Sequence, residues 1–244
     1  MHQIIRGLVI RAVDYREADR ILTVLSPEAG KITVRARGVR RKNSAFRPAS
    51  QLFAYSEMTL FEGKGRLTLN EASIIEQFSG LGRDLWALAL ASYLVEVLGT
   101  EAEADAPHPD VLRLTLNALH ALSGGSMDRA VIKAAFELRY MALIGYQPDL
   151  DACAECGGAV RPGGWFVPRL GLIRCASCPR GAESLPLDGA ALEAAQYILS
   201  APVSRVFSFR LGESSLALLS RTCERYLLAC LERGFRTLDY YNNL

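Results

Sequence analysis

Two Cys-x-x-Cys pairs, Cys153-Ala-Glu-Cys156 and Cys175-Ala-Ser-Cys178, stand eighteen residues apart and constrain this chain more than any other feature. Thiolates two residues apart can both reach one ion from a tight turn, and Zn²⁺ prefers four such ligands at the corners of a tetrahedron. The intervening length fits a two-knuckle site. Gly157 and Gly158 follow the first pair, where a knuckle needs a positive backbone φ. Pro162-Gly163-Gly164 supplies a chain reversal, and Trp165 to Val167 reads as a short strand beside it. The pattern predicts one structural Zn²⁺ held by Cys153, Cys156, Cys175 and Cys178. A catalytic zinc keeps an open position that a fourth cysteine closes, and a redox Cys-x-x-Cys belongs to a thioredoxin-like βαβ pattern that this segment lacks. Disulfides are disfavoured in a chain with intracellular character.

Four thiolates around Zn²⁺ leave a local charge of about −2. Arg161, Arg169, Arg174 and Arg180 lie close enough in sequence to offset it, a simpler role for them than contact with nucleic acid. Cys223 and Cys230 stand apart from the cluster. Leu216, Leu219, Cys223, Tyr226 and Cys230 step by three and four, which puts both thiols on one apolar helical stripe as core filling.

The region before the cysteines changes character near residue 80. Ile4 to Val13, Arg20 to Ser26, Lys31 to Arg37, Leu52 to Glu62 and Arg66 to Ile75 are rich in Val, Ile, Leu, Thr and aromatics. Five short strands in so few residues suit a small barrel of the OB type, although strand counting also allows an SH3-like barrel. Helical spacing then governs Trp86 to Leu98, His108 to Leu122, Met127 to Ile144, Asp188 to Leu199 and Ser214 to Arg233. Ser126 and Asp188 are candidate N-caps for the third and fourth. The expected architecture is α+β and multidomain. A five-stranded OB-type barrel over 1–79 precedes a helical domain over 80–244, with a four-cysteine zinc module inserted at 147–186. No uninterrupted apolar core marks Met1 to Ala12 as a leader, and Glu96 breaks the apolar run Leu85 to Leu98, so a cytoplasmic protein without membrane contact is expected.

Charge is distributed unevenly along the chain. Residues 1–50 hold eleven Lys or Arg and four acids, a balance of +7, whereas the whole chain carries only +2. On the third strand Ile32, Val34 and Ala36 alternate with Lys31, Thr33, Arg35 and Arg37, so the cations should face solvent. Gly38-Val39-Arg40-Arg41-Lys42-Asn43-Ser44-Ala45-Phe46-Arg47 follows at once. Lys31, Arg35, Arg37, Arg40, Arg41, Lys42 and Arg47 therefore form an expected phosphate-binding face. Phe46 is either a base-stacking aromatic or an anchor tucked into the barrel. Such a surface should bind nucleic acid with little sequence preference and strong salt dependence.

An enzyme is not expected. His2, His108 and His120 form no recognisable nucleophilic arrangement with Ser, Cys or Asp, and neither a P-loop nor a dinucleotide fingerprint occurs. Asp149 and Asp151, beside the first knuckle, read as capping or supporting groups.

Several short motifs, taken in order, resemble the RecO family of recombination mediators. They are Arg6-Gly7-Leu8-Val9-Ile10, Asp14-Tyr15-Arg16-Glu17-Ala18-Asp19 and Ala36-Arg37-Gly38-Val39-Arg40-Arg41, with Ser44 and Leu52-Phe53 after them. Gly145-Tyr146-Gln147-Pro148, Leu150-Asp151 and the four-cysteine series continue the likeness over nearly the whole chain. The resemblance implies binding of single- and double-stranded DNA, annealing of complementary strands, and help in loading RecA. It also implies RecR, RecF and the acidic tail of the single-stranded DNA-binding protein as partners, and a place at the bacterial nucleoid. The competing reading from the residues alone is an RNA- or transcription-associated protein with an OB barrel and a zinc ribbon. A metalloenzyme would need an exchangeable water on the zinc.

Overall fold

The chain is described by a computed structural model covering residues 2–101 and 107–244. Strand β1 (His2–Tyr15) is fourteen residues long and changes partner midway. His2–Leu8 pairs with β4 (Tyr55–Gly63), and Leu8–Tyr15 pairs with β2 (Asp19–Ser26). Gly7 sits at the changeover, where a Cβ would meet Val24 Cγ1 at 2.3 Å and Leu25 O at 3.2 Å. β2 pairs with β3 (Gly30–Ala36), and β4 with β5 (Arg66–Glu76). Short parallel pairing, Val34 with Leu67 and Arg35 with Thr68, closes the barrel in the order β1-β2-β3-β5-β4.

The expected five-stranded barrel is therefore present, and alternation explains its interior. Val9, Leu22, Val24, Val34, Ala36, Met58 and Leu60 are fully buried in one cluster, each larger side chain contributing about 1.5–3 kcal/mol. The fourth strand begins at Tyr55, three residues later than Leu52. Phe53 adopts a left-handed conformation (φ 67°), and its amide donates to Val9 O at 2.9 Å, so the chain turns there before it can extend.

The chain divides into two compact units, residues 1–123 with 239–244, and residues 124–238. This grouping places α1 (Leu85–Glu101) and α2 (Pro109–Gly124) with the barrel and differs from a division at residue 79. α1 is apolar around most of its circumference; Tyr93, Leu94 and Val97 are fully buried, whereas Leu85, Trp86 and Leu88 near its start are exposed. Asp84 caps it by accepting from the amides of Trp86 and Ala87.

In the second unit α3 (Arg129–Leu143), α4 (Gly189–Ser200) and α5 (Glu213–Leu231) pack with a three-stranded sheet. Asp128, not Ser126, caps α3, its carboxylate taking the Ala130 amide at 2.8 Å. Asp128 stands immediately before the first helical residue and so satisfies free amides that Ser126 cannot reach. Asp188 caps α4 as expected, accepting from Ala191 at 2.8 Å. The sheet order is β7 (Leu172–Cys175), β6 (Gly163–Val167), β8 (Leu185–Asp188). Gly163 and Gly164 belong to the central strand and do not form a reversal. Carbonyl oxygens of both neighbouring strands crowd them, and a Cβ would lie 2.3 Å from Leu187 O and 2.2 Å from Arg174 O respectively. A short helix, α6 (Arg236–Asn242), is one that the sequence pattern does not announce. No helix among the described residues is long and apolar enough to cross a membrane.

Candidate nucleic-acid interface and metal centre

The phase expected of the third strand holds. Val34 and Ala36 are buried, Thr33 and Arg37 are exposed, and Lys31 and Arg35 are half-buried. The cations, however, have separate environments. Arg35 is committed to Asp19, donating from Nη2 at 2.7 Å and from Nε at 3.1 Å. The register of β2 on β3 pairs Arg20 with Ala36, which carries Asp19 to the end of β3. There Asp19 also accepts the Gly38 amide at 2.8 Å. That amide, followed by the Arg35 guanidinium, holds the Asp19 carboxyl below the usual carboxylate range.

Arg40 has a similar structural duty. It pairs with Asp14 at 3.2 Å and donates to the carbonyls of Arg16 and Glu17 at 3.3 Å each, while its amide donates to Ala18 O at 2.9 Å. Arg20 shares Asp14 at 2.9 Å, and this hydrogen bond is the main reason that the Asp14 carboxyl is acidified. Lys31 lies at the other end of β3, about 20 Å from Arg37 at strand rise. It donates to Gly99 O at 3.1 Å. One continuous cationic strand face is thus not what the fold builds.

What it builds is a cleft. Arg16, Arg35, Arg37 and Arg41 line an open concavity of about 520 Å³ with Asp19 and Gly38. Four guanidiniums against one carboxylate leave it at +3. Among the described residues Arg16, Arg37, Arg41, Lys42 and Arg47 form no ion pair, so their charge is available to an outside anion. The basic loop is folded rather than free. Amides of Arg41, Ser44 and Arg47 donate in succession to the carbonyls of Gly38, Arg41 and Ser44, and Val39 is buried. Phe46 is half-buried and packs against the barrel core, so its anchoring role is the one observed. Sequence pattern does not reveal Arg16, because it lies in the β1–β2 turn, nineteen residues before Arg35; only the β1–β2 hairpin together with the β2–β3 pairing brings the two to one cleft.

The four cysteines converge in the second unit. Their sulfurs all lie within 4.8 Å of one another, and Cys156 Sγ is 3.9 Å from Cys175 Sγ. Tetrahedral coordination with bonds near 2.3 Å puts sulfurs about 3.8 Å apart, whereas a disulfide needs about 2.05 Å. The group is therefore spaced to hold one metal ion, and all four thiols are free. Gly157 takes φ 70° and donates to Cys153 O at 2.8 Å, making the first knuckle; Cys178 donates to Cys175 O at 3.3 Å in the second. Amide donors, first that of Cys175, bring the Cys153 thiol down to about 6. Hydrogen bonding with the thiols of Cys156 and Cys175 pushes Cys178 up to about 12.

Three of the four neighbouring arginines have local partners. Arg174 meets Glu155 at 3.4 Å, Arg169 meets Glu183 at 3.3 Å, and the Arg180 guanidinium stacks on Trp165 at 4.3 Å from the ring centre. Cys223 is buried on α5 among Leu219 and Tyr226, and burial raises its pKa; Cys230 is half-buried. An ion-pair triad underlies these helices. Lys133, 3 % exposed, bridges Glu137 at 2.8 Å and Glu224 at 2.7 Å, and the two carboxylates keep it charged against the effect of burial.

A closed five-stranded OB barrel with a cationic cleft, followed by helices and a four-thiol knuckle sheet, marks a multidomain protein with the parts of a nucleic-acid binder. Comparison with known families gives that class a narrower identity. Residues 1–78 match the family model for the N-terminal part of recombination protein O, and residues 82–239 match the model for its C-terminal part. DNA repair protein RecO of Acetivibrio thermocellus is 34% identical over 240 residues, covering 98% of this chain and 95% of the relative. The RecO of Symbiobacterium thermophilum is 34% identical over 246 residues, at 98% and 96% coverage. That of Pelotomaculum thermopropionicum is 31% identical over 235 residues, at 96% and 91%. The chain belongs to the RecO family of DNA repair proteins.

Proposed function

We propose that this protein is a recombination mediator that holds DNA in the cleft between the β1–β2 turn and the basic loop, and that it works without a catalytic step of its own. The observation that carries the reading is the +3 cleft, where Arg16, Arg37 and Arg41 form no ion pair among the described residues. Lys42 and Arg47 on the same exposed loop extend the track. Arg35 and Arg40 act as braces, fixing Asp19 and the turn, and Lys31 and Phe46 lie outside the contact surface. Contacts of this kind neutralise phosphates without reading bases, so both single strands and duplexes bind. Two strands whose backbone repulsion is reduced in this way anneal more readily.

The barrel, about residues 1–79, is the proposed DNA-binding module, and residues 147–186 form the metal module. Zn²⁺ is the proposed ion, because four thiolates at tetrahedral spacing match its preference and close its coordination shell. Bound there, it would cross-link the two knuckles and supply structure only. The relatives' role as DNA repair proteins supports work on DNA; RecR, RecF, RecA and the single-stranded DNA-binding protein are the proposed partners, and the nucleoid is the proposed place of work. Annealing of complementary oligonucleotides, bare and coated with that protein, tests the proposal. Acceleration of both is expected. No acceleration of the bare strands would refute it, and a clear preference for RNA of equal length would favour the RNA-associated alternative.

A further inference from the structure

Resting on the cleft proposed above, we infer that the β1–β2 turn holds one unpaired nucleobase against the Tyr15 ring, which makes the cleft prefer single strands to duplex. Tyr15 ends β1 with 40% of its surface exposed. The guanidiniums of Arg16 and Arg35, both lining the cleft, lie 5.3 and 5.4 Å from its ring centre. Both cations thus sit over the ring, more loosely than Arg180 sits over Trp165 at 4.3 Å. An aromatic face beside phosphate-binding cations is the combination that single-strand binders use, and every base has a π face to offer. A base inside a duplex is already stacked and has none to spare.

The backbone points the same way. Arg16 has φ 54°, a left-handed conformation that glycine enters without cost and a side chain does not. Arg40 clips the turn in that conformation through the carbonyls of Arg16 and Glu17. The strain is thus held in place, and what the turn gains over a glycine is a guanidinium that both lines the cleft and lies over the Tyr15 ring. Phe46, the other aromatic near the cationic loop, packs against the barrel core. Phe61 lies at the opposite end of β1, paired with His2.

The test compares full-length protein with Tyr15→Leu and Tyr15→Phe, using an oligothymidine carrying one 2-aminopurine and a duplex of equal length. Tyr15→Leu is expected to lose about tenfold in single-strand affinity, with duplex affinity and the salt dependence of both unchanged. Tyr15→Phe should bind like the unaltered protein. Fluorescence of the 2-aminopurine should be quenched by the unaltered protein and by Tyr15→Phe, and not by Tyr15→Leu. Full single-strand affinity in Tyr15→Leu, equal loss on both substrates, or no quenching by the unaltered protein would overturn the inference. Failure of the cleft itself has a different signature, an unchanged salt slope when its arginines are removed.

Discussion

Replacing Arg16, Arg37 and Arg41 together by alanine should flatten the salt dependence of DNA binding by a calculable amount. These three line the cleft and form no ion pair among the described residues. Each phosphate that the protein ceases to neutralise on a single strand lowers the slope of log affinity against log salt by about 0.7, so three lower it by about two. On duplex the decrease is nearer 2.7. Between 50 and 200 mM salt, the affinity gap between the two proteins should narrow roughly eighteenfold on single strands. Fluorescence anisotropy titrations over that range measure the slope directly. All three side chains are on the surface, where substitution costs less than about 0.5 kcal/mol, so an unfolded variant is not the expected outcome. Lys31→Ala is the control and should leave the slope alone, because Lys31 lies outside the cleft. A triple variant that keeps the original slope would refute the reasoning.

Four other outcomes are expected from the same geometry. Asp19→Asn keeps an acceptor for the Gly38 amide but removes the one carboxylate in the cleft, so single-strand binding at low salt should strengthen about two- to threefold, as titration would show. Asp14 and Asp19 titrate below their usual 3.8 when folded, so the unfolded chain binds more protons as pH falls through that window. Their contribution is complete above about pH 4 and disappears below it; thermal melts from about pH 2 to 5 should show the fall, and Asp14→Asn with Asp19→Asn should flatten it. Lys133→Ala leaves two carboxylates facing one another and should cost about 3–5 kcal/mol in urea unfolding, whereas a cost under about 1 kcal/mol would deny the triad its structural role. Gly164→Ala should drive β6 from β7, displace Cys175 and lower the occupancy of the proposed zinc, measured as zinc per chain by atomic absorption; retention of the unaltered protein's zinc content would contradict this.

The cysteine spacing and the strand alternation are legible in the sequence because both are local. A knuckle is settled within about five residues, and the burial of Val34 and Ala36 follows from the pleat alone. Pairing between distant side chains is not legible. Arg35 and Asp19 are sixteen residues apart, and only the β2–β3 register makes them partners. A run of cations on one strand looks uniform in sequence, yet here Arg35 is braced, Lys31 lies at the far end and Arg37 lines the cleft with no ion pair among the described residues. Arg16 is hidden for the reverse reason, since a single arginine in a turn carries no pattern until the fold places it beside Arg37 and Arg41. The late start of β4 depends on the left-handed Phe53, a conformation that side-chain type does not announce.

Phenylglyoxal modification followed by peptide mass spectrometry, with and without a bound single strand, tests the cleft most directly. Arg16, Arg37 and Arg41 should be protected by the oligonucleotide, while Arg6 and Arg113, which line no part of it, should react as before. Equal reactivity of all five in the presence and absence of saturating DNA would contradict the assignment.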